Sequence, residues 1–149
     1  MFSIKITVPG EPVPKGRHRA RIVQPKSKPA FIHFYQDADT EAYEKAVGWQ
    51  AKFVMKGRGL LTGALRIEVV AYLKVPASWS AKQKERALVG DLINGLLLPI
   101  SRPDGDNFLK AALDAMNGIV YKDDSQVTDM SVKKRYSDNP RLEIVIFPA

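Results

Sequence analysis

The chain has 149 residues, 45% of them hydrophobic, which is ordinary for one globular domain with a single sizeable core. It contains no cysteine, so disulfide bonds, thiolate zinc sites and thiol nucleophiles are excluded. No apolar run approaches the roughly 18 residues of a membrane span, and we expect a soluble cytoplasmic protein. The formal net charge of +7 suits a nucleic-acid partner, an anionic membrane or simple solubility.

The amino-terminal part predicts a strand followed by a basic loop. Over residues 2–8 apolar and polar side chains alternate, which is the period of a half-buried strand. Residues 15–28 carry six cations and no acid, and Gly16 and Pro25 interrupt them, so a membrane helix is not expected there. The alternatives are a solvated loop and a loop that contacts DNA phosphate, and we prefer the second. The predicted DNA contacts are Lys15, Arg17, Arg19 and Arg21.

The middle of the chain predicts two helices and a strand. Asp39 or Thr40 can cap a helix that runs to about residue 56. Residues 65–75 form a long run rich in β-branched side chains and predict a strand. Ser80 has the capping-box spacing for a short basic helix that ends before Gly90. Residues after it, from 91 to 100, are apolar but broken by glycine and proline, so their structure stays open.

The carboxyl-terminal part predicts one helix and three strands. Asp104 or Asp106 can cap a helix that ends near residue 116, where Asn117-Gly118 is a stop signal. The predicted strands cover residues 119–122, 127–136 and 141–147, with a turn at 123–125. Strands interleaved with helices and then paired by short turns indicate an α/β fold. We expect a single domain over residues 1–149, with a mixed β-sheet and helices packed on its face.

Two acidic segments carry the most specific chemistry. Residues 103–110 read PDGDNFLK, and residues 121–126, one helix length later, read YKDDSQ. Carboxylates packed this closely raise each other's pKa, and a hard divalent cation such as Mg²⁺ relieves their repulsion. Asp104 and Asp106 precede the helix, and Asp124 can approach from the sheet.

The helix also presents a polar face to these acids. Asn107, Lys110 and Asp114 follow one another at steps of three and four residues, so Lys110 lies one turn beyond Asp106. Three carboxylates and a lysine suit phosphodiester hydrolysis, because a metal activates the phosphate while the lysine stabilises developing negative charge. Each residue also has an ordinary explanation: Asp106 caps a helix, Asp124 fills a turn, and Lys110 pairs with a neighbouring acid.

The same segments carry a family resemblance. Residues 103–127, PDGDNFLKAALDAMNGIVYKDDSQV, resemble the signature of RusA-type Holliday junction resolvases, which are small bacterial and prophage endonucleases. Residues 8–17, VPGEPVPKGR, resemble the amino terminus of that family, and the order of predicted elements agrees. The resemblance therefore covers most of the chain and implies a RusA-like fold.

The resemblance implies specific residue roles. Asp104, Asp106 and Asp124 fall on the metal-binding carboxylates, and Lys110 falls on the catalytic lysine. Supporting positions of the signature are Asp123, Asp114 and Asn107. The implied activity is symmetric cleavage of four-way DNA junctions with Mg²⁺ or Mn²⁺, by a homodimer, in DNA recombination and repair. Alternatives are a less discriminating branched-DNA nuclease and a DNA-binding module on the same fold that does not cleave.

A homodimer is also expected from geometry. Two incisions related by a two-fold axis need two active sites, and one chain with one acidic cluster supplies one. The apolar segment from 91 to 100 is a candidate for part of the interface, although its side chains can equally be buried within the monomer. The candidate interface residues are Leu92, Ile93, Leu96, Leu97 and Leu98.

Overall fold

The computed structural model describes residues 2–149, and this part of the chain forms six strands, three α-helices and one short 3₁₀ helix. The strands are β1 (Ile4–Pro9), β2 (Arg19–Val23), β3 (Phe31–Tyr35), β4 (Leu65–Lys74), β5 (Val127–Ser137) and β6 (Arg141–Pro148). The helices are α1 (Ala38–Met55), α2 (Ala81–Leu88) and α3 (Gly105–Met116), and the 3₁₀ helix is Asp124–Gln126.

Four of the strands form a mixed sheet in the order β1-β6-β4-β5. The pairs β1/β6 and β6/β4 are antiparallel, whereas β4 and β5 are parallel. The chain between β4 and β5 carries α2 and α3, which is the kind of crossover that a parallel pair requires. The predicted fold class, an α/β protein with a mixed sheet and helices on its face, is confirmed.

The core lies between this sheet and two helices. Alternate residues of β4 are buried on one face, and α1 and α3 contribute to the same hydrophobic cluster. Gly48 of α1 lies against the end of α3, where an added Cβ would be 3.3 Å from Cδ1 of Ile119. The absence of a side chain therefore lets the helices approach closely. Within residues 2–149, no helix has both the length and the apolarity of a membrane span.

Helix starts follow the local signals closely. The predicted capping box of α2 is present, because the amide of Gln83 donates to Ser80 Oγ at 3.2 Å and Gln83 Oε1 accepts from the Ser80 amide at 3.0 Å. The N-cap of α1 is Asp37 rather than Asp39 or Thr40, because Asp37 accepts a hydrogen bond from the Thr40 amide at 2.9 Å. The prediction placed this helix start two or three residues too late.

The basic segment is not the irregular loop that its charge suggested. Its residues 19–23 form β2, which pairs with β3 in a separate two-stranded antiparallel sheet. The β-branched and aromatic residues of the pair favour extended backbone. The loop prediction, which weighed charge and prolines, was therefore wrong for this part of the chain.

The short strand predicted for residues 119–122 was also wrong. Only isolated bridges occur there, which join Tyr121 to Leu61 and to Asn117. Gly118 has a φ of +75° and turns the chain directly after α3. The Tyr121 hydroxyl then donates to the carbonyl oxygen of Leu113 at 2.8 Å, so the segment folds back onto α3.

The apolar segment after α2 forms a turn rather than a helix or strand. Asp91 accepts hydrogen bonds from the amides of Ile93 at 2.9 Å and Asn94 at 2.5 Å, which fixes the turn. Leu92 and Ile93 are consequently fully exposed at its tip. The alternative that these two side chains are buried within the monomer is wrong, and the dimer interface stays a prediction.

Candidate active site and nucleic-acid interface

The amino-terminal end of α3 presents exposed charged side chains. Asp104 is the N-cap residue, but its carboxylate makes no capping hydrogen bond, and Asp106 follows in the first turn. Asp104, Asp106 and Lys110 are all exposed. Among residues 2–149, Lys110 forms no ion pair, so the alternative that it only pairs with a neighbouring acid is not supported, and the N-cap residue is Asp104 rather than Asp106. The carboxylates of Asp104 and Asp106 and the ammonium group of Lys110 are therefore accessible to a ligand.

An open cleft of about 520 Å³ lies beside the first of these acids. It is lined by Arg17, Arg102, Pro103, Asp104 and Asn107. Two guanidinium groups and a carboxylate thus share one polar surface, and guanidinium groups bind phosphate by paired hydrogen bonds. Sequence reasoning missed Arg102, although a cation two residues before Asp104 was a local signal for it.

The segment that carries Asp104 is held by β5. Lys134 Nζ donates to the carbonyl oxygens of Ser101 at 2.9 Å and Pro103 at 3.0 Å. Gly105 packs on the same strand, since a Cβ there would be 3.5 Å from Val132 Cγ1. Lys134 therefore fixes the backbone directly before the first acid. No local signal in the sequence indicates this contact, because the partners are more than 30 residues apart.

The two acids of the second segment have different environments. Asp123 caps the 3₁₀ helix and accepts a hydrogen bond from the Ser125 amide at 3.2 Å. Hydrogen bonds from Ser125 hold the pKa of the Asp123 carboxyl below its usual range. Asp124 is half-buried and has no such capping role. The structure thus gives Asp123 a structural task and leaves the Asp124 carboxylate without one.

A buried tyrosine relates Asp124 to α3. Burial raises the pKa of Tyr121, and the negative charges of Asp124, Asp114 and Asp123 raise it further. The hydroxyl of this tyrosine donates a hydrogen bond to the carbonyl oxygen of Leu113, in the second half of α3. Asp104 and Asp106 lie at the other end of that helix.

Lys15 lies in a half-buried charged cluster. Its Nζ is 2.5 Å from Glu44 Oε1, 2.9 Å from Asp114 Oδ2 and 2.7 Å from Gln36 Oε1. Burial alone would lower the pKa of Lys15, but the hydrogen bonds and charges of Glu44 and Asp114 outweigh it, and the pKa is raised. Its amide donates to Asn107 O at 2.9 Å. Its ammonium group is committed to protein acids, so its position does not support the predicted DNA contact.

The three arginines are placed differently. Arg17, Arg19 and Arg21 are exposed and take part in no ion pair within residues 2–149. Arg17 lines the cleft beside Asp104, and the other two lie on β2. Their contact with DNA stays a prediction that this exposure permits.

Comparison with known proteins identifies the family. The sequence model described as endodeoxyribonuclease RusA matches residues 9–147, nearly the whole chain. The chain belongs to the RusA family. It is also 38% identical over 148 residues to the uncharacterized protein YqaN of Bacillus subtilis (strain 168), with 98% of this chain and 96% of that protein covered. The resemblance seen in the sequence is confirmed, and RusA family membership supports endodeoxyribonuclease activity.

Divalent-metal chemistry fits the donor types of this RusA family chain. Asp104, Asp106 and Asp124 offer carboxylate oxygens, the ligands that Mg²⁺ and Mn²⁺ prefer. Within residues 2–149, however, no three acidic or histidine side chains are arranged as a ready set of metal ligands. Convergence of the three carboxylates on one ion therefore stays a prediction.

Proposed function

We propose that this protein is a Mg²⁺-dependent endodeoxyribonuclease that resolves Holliday junctions by paired symmetric incisions. The observation that carries the proposal is the end of α3, where Asp104, Asp106 and Lys110 are exposed and their charged groups have no ion-pair partner among residues 2–149, in a chain of net charge +7. Carboxylates beside a DNA phosphate repel it, whereas a divalent cation bound between them removes that repulsion. RusA family membership supports the same reading.

The side chains of the cleft and of the neighbouring acidic segments can take separate roles in DNA cleavage. Arg17 and Arg102 can bind a DNA phosphate by charge-assisted hydrogen bonds and place it beside Asp104. Lys110 adds positive charge near the phosphoryl oxygens, whose negative charge grows in the transition state. Asp104, Asp106 and Asp124 would hold Mg²⁺ or Mn²⁺, which supplies Lewis-acid activation of the phosphoryl group and the attacking water.

The proposal includes a homodimer. A four-way junction has two-fold symmetry, so paired incisions require two copies of the site related by a two-fold axis. The exposed tip with Leu92 and Ile93 offers apolar surface that a second copy can cover. Sedimentation at micromolar concentration tests this part: a 16.6 kDa chain that stays monomeric when free and binds the junction as a single copy contradicts paired incision and favours a single-cut branched-DNA nuclease.

The central test compares cleavage of a mobile four-way junction with cleavage of linear duplex, with Mg²⁺ and with EDTA. We expect symmetric cuts in the junction only when Mg²⁺ is present. Equal cutting of both substrates would favour the less discriminating nuclease, and junction binding without any cutting would favour the non-cleaving module.

A matched pair of variants locates the chemistry. Asp106→Asn should abolish cleavage and leave metal-free junction binding intact or tighter, because it removes a negative charge beside phosphate. Asp39→Asn is the control, because Asp39 is an exposed acid in the first turn of α1, as Asp106 is in α3. Loss of metal-free junction affinity in Asp106→Asn, at an unchanged melting temperature, would assign this carboxylate another role.

A further inference from the structure

The side chains on both faces of the β2–β3 hairpin are exposed to solvent. It forms its own two-stranded sheet, and nearly all of its residues are exposed. An isolated two-stranded sheet is only marginally stable in water, and exposed aromatic residues in contiguous sets usually mark a binding surface. The hairpin is therefore a candidate interaction surface.

The strand register sorts the hairpin residues into two faces of different chemistry. Side chains directly opposite each other lie on the same face, and successive residues alternate between faces. The first, which we call the cationic-aromatic face, contains Arg19, Arg21, Val23, Phe31, His33 and Tyr35. The second, which we call the apolar face, contains Ala20, Ile22, Ile32 and Phe34.

The cationic-aromatic face is organised by contacts between its own side chains. The Arg21 guanidinium lies 5.5 Å from the centre of the Tyr35 ring. The rings of His33 and Tyr35 are stacked, 6.1 Å apart and 10° from parallel. Residues 12–36 contain no acid. A positively charged surface with parallel aromatic rings is the arrangement that binds unstacked bases together with their phosphates.

The base of the hairpin lies beside the candidate site. Lys15 Nζ bonds to Gln36 Oε1 at 2.7 Å, and the Gly16 amide donates to Thr40 Oγ1 at 3.1 Å. These bonds fix the two ends of the hairpin segment at the start of α1. Arg17, between this anchor and β2, lines the cleft that contains Asp104. DNA bound in the cleft would therefore pass the base of the hairpin.

We propose that the cationic-aromatic face binds unstacked bases at the branch point of DNA, with Tyr35 as the stacking side chain and Arg19 and Arg21 as phosphate contacts. Base pairs inside a duplex are stacked on both sides and offer no free face, whereas a branch point interrupts stacking. The hairpin would thus discriminate branched from linear DNA. This inference rests on the proposed action on branched DNA and adds the surface that recognises it.

The experiment measures metal-free binding in EDTA, so that cleavage plays no part. The probes are a four-way junction and a linear duplex, each with 2-aminopurine in place of one adenine, at the branch point in the junction. Tyr35→Leu should weaken junction binding by about 5- to 150-fold, the range for loss of one base–aromatic stack, with little change for duplex. Tyr35→Phe keeps the ring and should retain binding and the 2-aminopurine signal.

The control is Phe34→Leu, which also replaces an aromatic ring by leucine, at the residue directly before Tyr35 and on the apolar face. It should leave binding of both probes within about twofold, since no stacked base is lost. Equal weakening of both probes by Tyr35→Leu, or greater weakening by Phe34→Leu, would overturn the assignment. A shift to smaller species with Phe34→Leu would instead identify the apolar face as a contact with a second copy.

The two proposals fail in different ways. A wild-type protein that binds junction and duplex equally contradicts the proposed function itself. A wild-type protein that prefers the junction, together with a Tyr35→Leu variant that keeps this preference, contradicts only the role of the hairpin. Melting temperatures of all variants check that the hairpin change leaves the core intact.

Discussion

Replacement of Lys15 by methionine should test the charged cluster between α1 and α3. The change keeps a long apolar side chain but leaves the carboxylates of Glu44 and Asp114 without their cationic partner. In the native protein they lie 2.5 Å and 2.9 Å from the Lys15 ammonium group. Removal of one partner from a buried ion pair costs about 3–5 kcal/mol. The three side chains are 12%, 17% and 34% exposed, so water solvates the stranded acids in part. We therefore expect a loss of about 2–3 kcal/mol in the free energy of unfolding.

Urea unfolding at pH 7 measures this loss, and thermal unfolding should show a decrease of roughly 6–9 °C for a chain of this size. Lys45→Met is the matched control. Lys45 pairs with Glu41 at 3.1 Å, but these side chains are 70% and 57% exposed. An exposed pair of this kind contributes only about 0.3–0.5 kcal/mol, so the control should change stability little.

A triple variant tests whether the unpaired carboxylates cause the loss of stability. Lys15→Met combined with Glu44→Gln and Asp114→Asn removes the stranded charges, and it should recover most of the lost stability, since a neutral cluster avoids the cost of desolvating unpaired acids. Equal losses in Lys15→Met and Lys45→Met, or no recovery in the triple variant, would refute the reasoning from burial.

Three further predictions use other parts of the structure. Burial raises the pKa of Tyr121, so the folded state holds this proton more tightly than the unfolded state, and stability that is present below pH 10 should fall in denaturant titrations above about pH 10. Tyr43→Phe should be neutral or stabilise by up to about 1 kcal/mol in urea unfolding, because the Tyr43 hydroxyl is buried without a partner in the described residues. Lys134→Met should lower the rate of junction cleavage more than it lowers junction affinity, because Lys134 holds the backbone directly before Asp104. Lys134→Arg should restore part of the cleavage rate. Lys133→Met changes an exposed neighbour and should alter neither the rate nor the affinity.

The sequence by itself determined the elements whose causes are local. Alternation predicted β1, a run rich in β-branched residues predicted β4, and the Ser80–Gln83 spacing predicted the start of α2. These patterns depend on residues that are close together in the chain. The acidic motif around Asp104 indicated the family for the same reason, since its residues are contiguous. Charge and prolines misled the prediction of β2, where pairing with β3 decided the conformation.

Tertiary structure alone decided which side chains from distant parts of the chain lie next to one another. It brought Arg17 to the cleft beside Asp104 and placed Lys134 against the carbonyl oxygen of Pro103. It also paired the Lys15 ammonium group, a predicted DNA contact, with Glu44, 29 residues along the chain. Such contacts form between elements that meet only when the core buries its apolar faces. No periodicity or spacing in the sequence encodes which charged side chain then lies opposite which, because the packing of α1 and α3 on the sheet sets those distances.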